Sequence, residues 1–119
     1  MQVVEKDSVE PTILASGEVI YELIGGGDRE EDANHSLAFV ELDEGESTEP
    51  HFHEESEETY YVLQGRGEVT VDGEVFQLAR GQACLIQPGE VHEITGLEGG
   101  LRFLAVSVPA WTPDDSYSV

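Results

Sequence analysis

A chain of 119 residues, 39% of them hydrophobic, has room for one domain with a modest core and not for two. Its 26 Asp and Glu against 5 Lys and Arg leave a formal net charge of −21, a surface that repels phosphate backbones and anionic lipids and argues against nucleic-acid and membrane partners. No apolar run reaches the ~18 residues of a membrane span, the N-terminus lacks a secretory pattern, and the lone Cys84 excludes an internal disulfide, so a cytoplasmic protein is expected.

The chain reads as short β-type runs broken by Gly, Pro, Asp or Asn, with no helical period. The first run covers 18–24, where Val19, Tyr21 and Leu23 alternate with Glu18, Ile20 and Glu22. Residues 25–32, three glycines and an acidic stretch, read as an exposed loop. The next run is 36–42, followed by a polar stretch to Pro50 and then His51-Phe52-His53. After an acidic loop at 54–57, a strand is expected over 58–63, closed by Gly65. A hairpin follows: 68–71, Asp72-Gly73 as its two-residue turn, then 74–78. Further strands are expected at 83–86, at 92–95 after Pro88-Gly89, and at 101–108, ended by Pro109. Eight or nine strands without a helix point to an all-β sandwich or barrel with its core at about 18–108, and the segments 1–10 and 113–119 are expected to be loosely held tails of one domain spanning 1–119.

Chemistry concentrates in the middle of the chain. His51 and His53 lie two apart on a strand, so both side chains leave the same face while Phe52 points away. Glu58 heads the next strand and can return to the same place, and His92 arrives from a distant Pro-Gly turn. Three neutral imidazoles and a carboxylate suit one divalent transition metal, Mn, Fe, Co, Ni, Cu or Zn, with positions left for water or substrate. Glu57 is an alternative to Glu58, and Glu54 and Glu55 read as solvated loop carboxylates. His35 reads as an ordinary strand or loop histidine. Cys84 reads as a small buried hydrophobe, the alternative being a soft ligand or redox thiol. Tyr60 and Val62 share the parity of Glu58 and should line the pocket, with Ile86 and Phe103 as weaker candidates; Tyr60 is either a proton or hydrogen-bond donor to substrate or a packed core residue. Gly65, Gly73, Gly81 and Gly89 sit where turns call for positive φ.

The segment GESTEPHFHEESEETYYVLQG, Gly45 through Gly65, resembles the first motif of the cupin superfamily, and GQACLIQPGEVH, Gly81 through His92, resembles the second. Gln87 stands where that motif usually has proline, and Gly96 where an asparagine is often found. The resemblance implies a small single-domain cupin, a double-stranded β-helix or jelly-roll barrel, with His51, His53, Glu58 and His92 as metal ligands. The spacing to Gly65 favours Glu58 over Glu57. Trp111, in the segment Pro109-Ala110-Trp111-Thr112-Pro113, is expected to cap the barrel, pack on a partner subunit or cover the site.

Fold does not fix function. The leading expectation is a metalloenzyme acting on a small oxygenated chelating substrate, dioxygenase-like or decarboxylase-like. The alternatives are a non-catalytic metal-dependent sensor or binding protein and a sugar or keto-acid isomerase. Cationic anchors are scarce: Lys6, Arg29, Arg66, Arg80 and Arg102 are the whole supply, which disfavours a phosphosugar. A homodimer is expected, paired through its sheets. The acidic excess resembles proteins of salt-loving cytoplasms, or else an ordinary acidic bacterial protein, and salt should relieve its self-repulsion.

Overall fold

The computed structural model describes residues 1–26 and 33–119. The expected acidic loop at 25–32 therefore falls largely outside the described residues, and Arg29 with it. Nine strands make up the described part: β1 Thr12–Ile13, β2 Val19–Ile24, β3 Ser36–Leu42, β4 His51–Phe52, β5 Glu57–Val71, β6 Glu74–Ala79, β7 Ala83–Ile86, β8 His92–Val108 and β9 Tyr117–Ser118. All pair antiparallel in one curled sheet, ordered β1-β2-β3-β8-β4-β9, with β5 joined to β6, β7 and β8. No helix among the described residues is long and apolar enough to cross a membrane.

Period-2 patterning explains which face is inside. β3 alternates strictly between buried and half-buried positions, so Ala38, Val40 and Leu42 turn inward. Register aligns Val40 with Phe103 of β8 and Phe103 with Val62 of β5, building a row across the barrel. Below it pack Ile86, Ile94, Val69 and Leu101, each no more than 2% exposed. Burying side chains of this size contributes about 1.5–3 kcal/mol apiece, which makes this end of the barrel the rigid base on which the site stands.

Two expected strand breaks are bends instead. The runs at 58–63 and 68–71 are halves of β5, and those at 92–95 and 101–108 are halves of β8. The two strands lie side by side along their length, with register shifts at Val62/Gln64 and Gly65/Gly67. Glycine permits the bend by close approach: a Cβ on Gly65 would run into the Gly100 carbonyl oxygen, and one on Gly96 would lie 2.6 Å from that of Asp43. The expected hairpin turn at Asp72-Gly73 is present, with φ of 47° and 85°, the all-positive pair that matches strand twist.

Each expected tail carries an anchoring contact. Lys6 seats its ammonium 4.3 Å over the Tyr21 ring and 4.8 Å over the Phe39 ring, and lies 3.6 Å from Glu41. At the other end β9 pairs with β4, and Tyr117 stacks on Phe52 with ring centroids 5.2 Å apart. These partners hold part of each segment, while Met1, Val3 and Val119 stay exposed.

Candidate metal centre

The four expected ligand residues meet at the open end of the barrel, and the fold places each from a different direction. β4 pairs with β8 so that His51 lies directly opposite His92. Glu58 enters from β5, opposite Ser107 of β8. His53 follows β4, where its carbonyl accepts the Gly89 N–H at 2.7 Å, tying it to the turn that delivers His92. One donor atom from each of the four lies within 4.8 Å of all the others.

Each histidine is oriented by a main-chain carbonyl. Nδ1 of His51 bonds the Glu49 carbonyl at 2.7 Å, that of His53 the Asp115 carbonyl at 2.8 Å, and that of His92 the Glu90 carbonyl at 2.9 Å. A carbonyl only accepts, so each Nδ1 carries a proton, and Nε2 is the ring nitrogen left to serve as a ligand. Glu58 is fixed similarly: Ser107 Oγ donates to Oε2 at 3.1 Å, leaving Oε1 free. His92 Nε2 stands 3.3 Å and His53 Nε2 3.9 Å from that Oε1, yet all three atoms are buried without a hydrogen-bond partner. Buried acceptors facing one another are costly unless a cation or a donor sits among them. The donor set and its orphaned atoms fit a divalent transition ion.

Burial, and then the neighbouring His92, lowers the pKa of His51. Burial would raise Glu58, but His92 and Tyr60 outweigh it and hold the carboxyl below its ordinary range. For His92, burial pulls downward and is overcome by the Glu58 carboxylate and the Glu90 carbonyl, so its pKa rises. Tyr60 is driven well above the usual phenol range by burial and then by Glu58, and keeps its proton.

A cavity of about 410 Å³ opens beside these residues, within the range of small-molecule sites. Tyr60 and Phe103 line it, whereas Val62 and Ile86 turn inward as expected but pack in the core beneath. Glu57 is exposed, and so are Glu54, Glu55 and His35. Cys84 is half-buried outside the cluster, its thiol raised by burial. Arg66, Arg80 and Arg102 face outward. Trp111 is a wall of the cavity, and its main-chain N–H donates to Ser36 Oγ at 2.9 Å.

The profile of one family, Cupin_2 (Cupin domain), matches residues 38–108, the stretch carrying all four residues. The chain belongs to the cupin family. An uncharacterized protein of Methanocaldococcus jannaschii is 34% identical over 113 residues, covering 94% of this chain and 90% of its own. Among solved structures, the polyketide cyclase RemF from Streptomyces resistomycificus superposes with a TM-score of 0.80 at 27% identity, over 100% of this chain and 85% of that one. A predicted oxalate decarboxylase from Thermotoga maritima gives 0.81 at 25% identity, over 91% and 99%.

As a cupin, the chain departs from motif at two places, and both are compensated. Gln87 replaces the usual proline and uses the N–H that proline would lack, donating to Glu90 Oε1 at 2.6 Å. The side chain of Glu90 thus braces the turn whose carbonyl orients His92. Gly96 replaces asparagine where the Asp43 carbonyl leaves no space for a Cβ. Sequence reading missed Glu18, Glu22 and Asp115. The alternation Glu18, Ile20, Glu22 was visible, but the opposite face, Val19, Tyr21, Leu23, is the more apolar one. Packing of Lys6 on Tyr21 lets that apolar face lie outside and sends the glutamates inward.

Proposed function

We propose that this cupin is a metalloenzyme whose metal is held by His51, His53, Glu58 and His92 and whose substrate is a small oxygenated molecule chelated in the adjoining cavity. The observation that carries the reading is the set of inward Nε2 and Oε1 acceptors, buried and unpartnered at the wall of a ligand-sized cavity. A bound divalent metal would supply Lewis acidity, or oxygen activation with a redox metal such as iron. The chain's own residues bind and exclude water: Phe103, Ala105, Val40 and Ile20 give the cavity an apolar wall. Tyr60, protonated and beside Glu58, donates a hydrogen bond at the site and acts on the substrate as a phenol, not a phenolate. The likeness to a polyketide cyclase and a predicted oxalate decarboxylase supports oxygen-rich organic substrates.

The test is to load the protein with Fe(II) and offer catechols, β-diketones and small hydroxy- or keto acids. Oxygen uptake or carbon dioxide release that falls at least about tenfold in Tyr60→Phe is expected. Metal-bound protein that returns every such compound unchanged would replace the enzyme with a metal-dependent binding protein.

A cytoplasmic homodimer completes the reading. Tyr61, Leu63 and Leu85 are 42%, 37% and 53% exposed on neighbouring outer positions of β5 and β7, an apolar face suited to a second copy. With each chain at −21, pairing should strengthen with salt. Light-scattering mass in 1 M KCl is expected at twice 13.0 kDa; a monomer there would refute the dimer.

A further inference from the structure

Besides Glu58, three carboxylates line the cavity, Glu18, Glu22 and Glu49, and no Lys or Arg lines it among the described residues. Glu18 is the most enclosed of the three. It is 9% exposed, and the side-chain partner of its carboxylate is the Ser16 hydroxyl, 3.3 Å from Oε1. The described cations are engaged elsewhere or face outward. Lys6 sits on Tyr21 outside the barrel, Arg66 bonds Gln77, Arg102 lies 3.6 Å from Glu41, and Arg80 is exposed.

A buried carboxylate is costly unless a cation or several donors meet it. Burial pushes the Glu18 carboxyl upward; the Ser16 bond opposes this, and the charges of Glu58 and Glu49 add to it. A divalent ion at the four-residue cluster offsets Glu58 and leaves the charge of the Glu18 wall standing. Glu18 directly precedes β2, three strand steps from the β5 of Glu58 in the order β5-β8-β3-β2, and lines the same cavity as the cluster. A ligand chelated at the cluster and filling this cavity meets the Glu18 carboxylate.

We propose that the cavity selects a small chelating molecule that brings its own cation, with an oxygen-bearing head at the metal and an ammonium or other protonated nitrogen received by Glu18. The inference rests on the chelation reading above and narrows it: Glu18 is a specificity-determining residue, and anionic tails are excluded by the same carboxylates.

Three catechols with one shared head test this. Dopamine carries an ammonium tail, 4-ethylcatechol a neutral one and 3,4-dihydroxyphenylacetate a carboxylate. Each is titrated calorimetrically into Zn(II)-loaded protein under anaerobic conditions in 0.5 M KCl, where the field of the whole chain is screened. Dopamine is expected to bind about tenfold more tightly than 4-ethylcatechol, as one charge-assisted contact gives, and the carboxylate least. Glu18→Gln, with Glu18→Ser as a second variant, should bring dopamine within about twofold of 4-ethylcatechol. Glu74→Gln, on exposed β6, should leave the tenfold preference intact. Glu18→Gln should melt no lower than wild type at pH 7, because burial disfavours the carboxylate it removes.

Equal affinities for dopamine and 4-ethylcatechol in wild type would overturn the proposal. So would a preference that survives both Glu18 variants, or one that Glu74→Gln abolishes equally. Zinc retained with no catechol bound would instead sink the chelation reading, and zinc not retained the metal centre itself, each carrying this inference down with it.

Discussion

His51→Ala is expected to abolish metal loading while leaving the barrel folded. Wild type, stripped and titrated with Zn(II) or Mn(II) near neutral pH, should take about one equivalent, and the variant's affinity should fall by more than about 100-fold, beyond what loss of an orienting partner costs. His51 suits this experiment because it is only half-buried and its side-chain bond to the Glu49 carbonyl is exposed, so the metal-free fold should lose no more than about 1 kcal/mol. His92, 1% exposed in the core of the site, would confuse folding with ligation. A thermal readout makes the separation explicit. At a thousandfold excess over Kd, metal adds about 4 kcal/mol to a protein that binds it only when folded. That is a rise in Tm on the order of 10 °C or more, expected in wild type and absent in the variant. Full stoichiometry retained in His51→Ala would show that the metal is held elsewhere.

What the sequence made legible was whatever depends on local periodicity and spacing. β3 at Ser36–Leu42 and β7 at Ala83–Ile86 match the expected runs residue for residue, because alternation and turn residues bracket them. The convergence of His51, His53, Glu58 and His92 was legible for the same reason, since parity on a strand puts two histidines on one face and motif spacing brings the rest. Bends were not. A glycine that ends a strand and a glycine that lets a strand fold over look alike, and only the nearness of Gly100 to Gly65 distinguishes them. Inward and outward faces of β2 were also ambiguous, because its outward aromatic is covered by Lys6 from a segment read as a tail. The tautomers of the three histidines lay further out of reach, depending on carbonyls of Glu49, Glu90 and Asp115, one of them 62 residues away from the ring it orients.

That distant carbonyl ties the C-terminal segment to the candidate metal centre. The Asp115 main chain orients His53, while its side chain accepts N–H bonds from Glu54 and Glu55 at 3.0 and 3.1 Å on Oδ1 and from Ser56 at 3.1 Å on Oδ2. The loop joining His53 to Glu58 is thus clasped by the residue that aims His53. Removing residues 112–119 is expected to weaken metal binding about 10–100-fold, the usual cost of losing an orienting partner. It should also lower stability by a few kcal/mol, since β9 and the Phe52–Tyr117 stack leave with it. Asp115→Ala separates the two effects. It keeps the carbonyl but frees the loop, so about 1–2 kcal/mol of stability should go and affinity should fall less than in the truncation. The pH dependence has a defined sign. Burial slightly favours the neutral acid, but the N–H donors of Ser56, Glu55 and Glu54 outweigh it and depress the folded-state pKa. The contribution of Asp115 is therefore complete above the unfolded value near 4 and drains away as pH falls through the folded one. Wild type and Asp115→Ala melting temperatures should differ at pH 7 and draw together as pH falls below the unfolded value. Unchanged metal affinity in the truncated chain would show that His53 holds its orientation without the C-terminal segment.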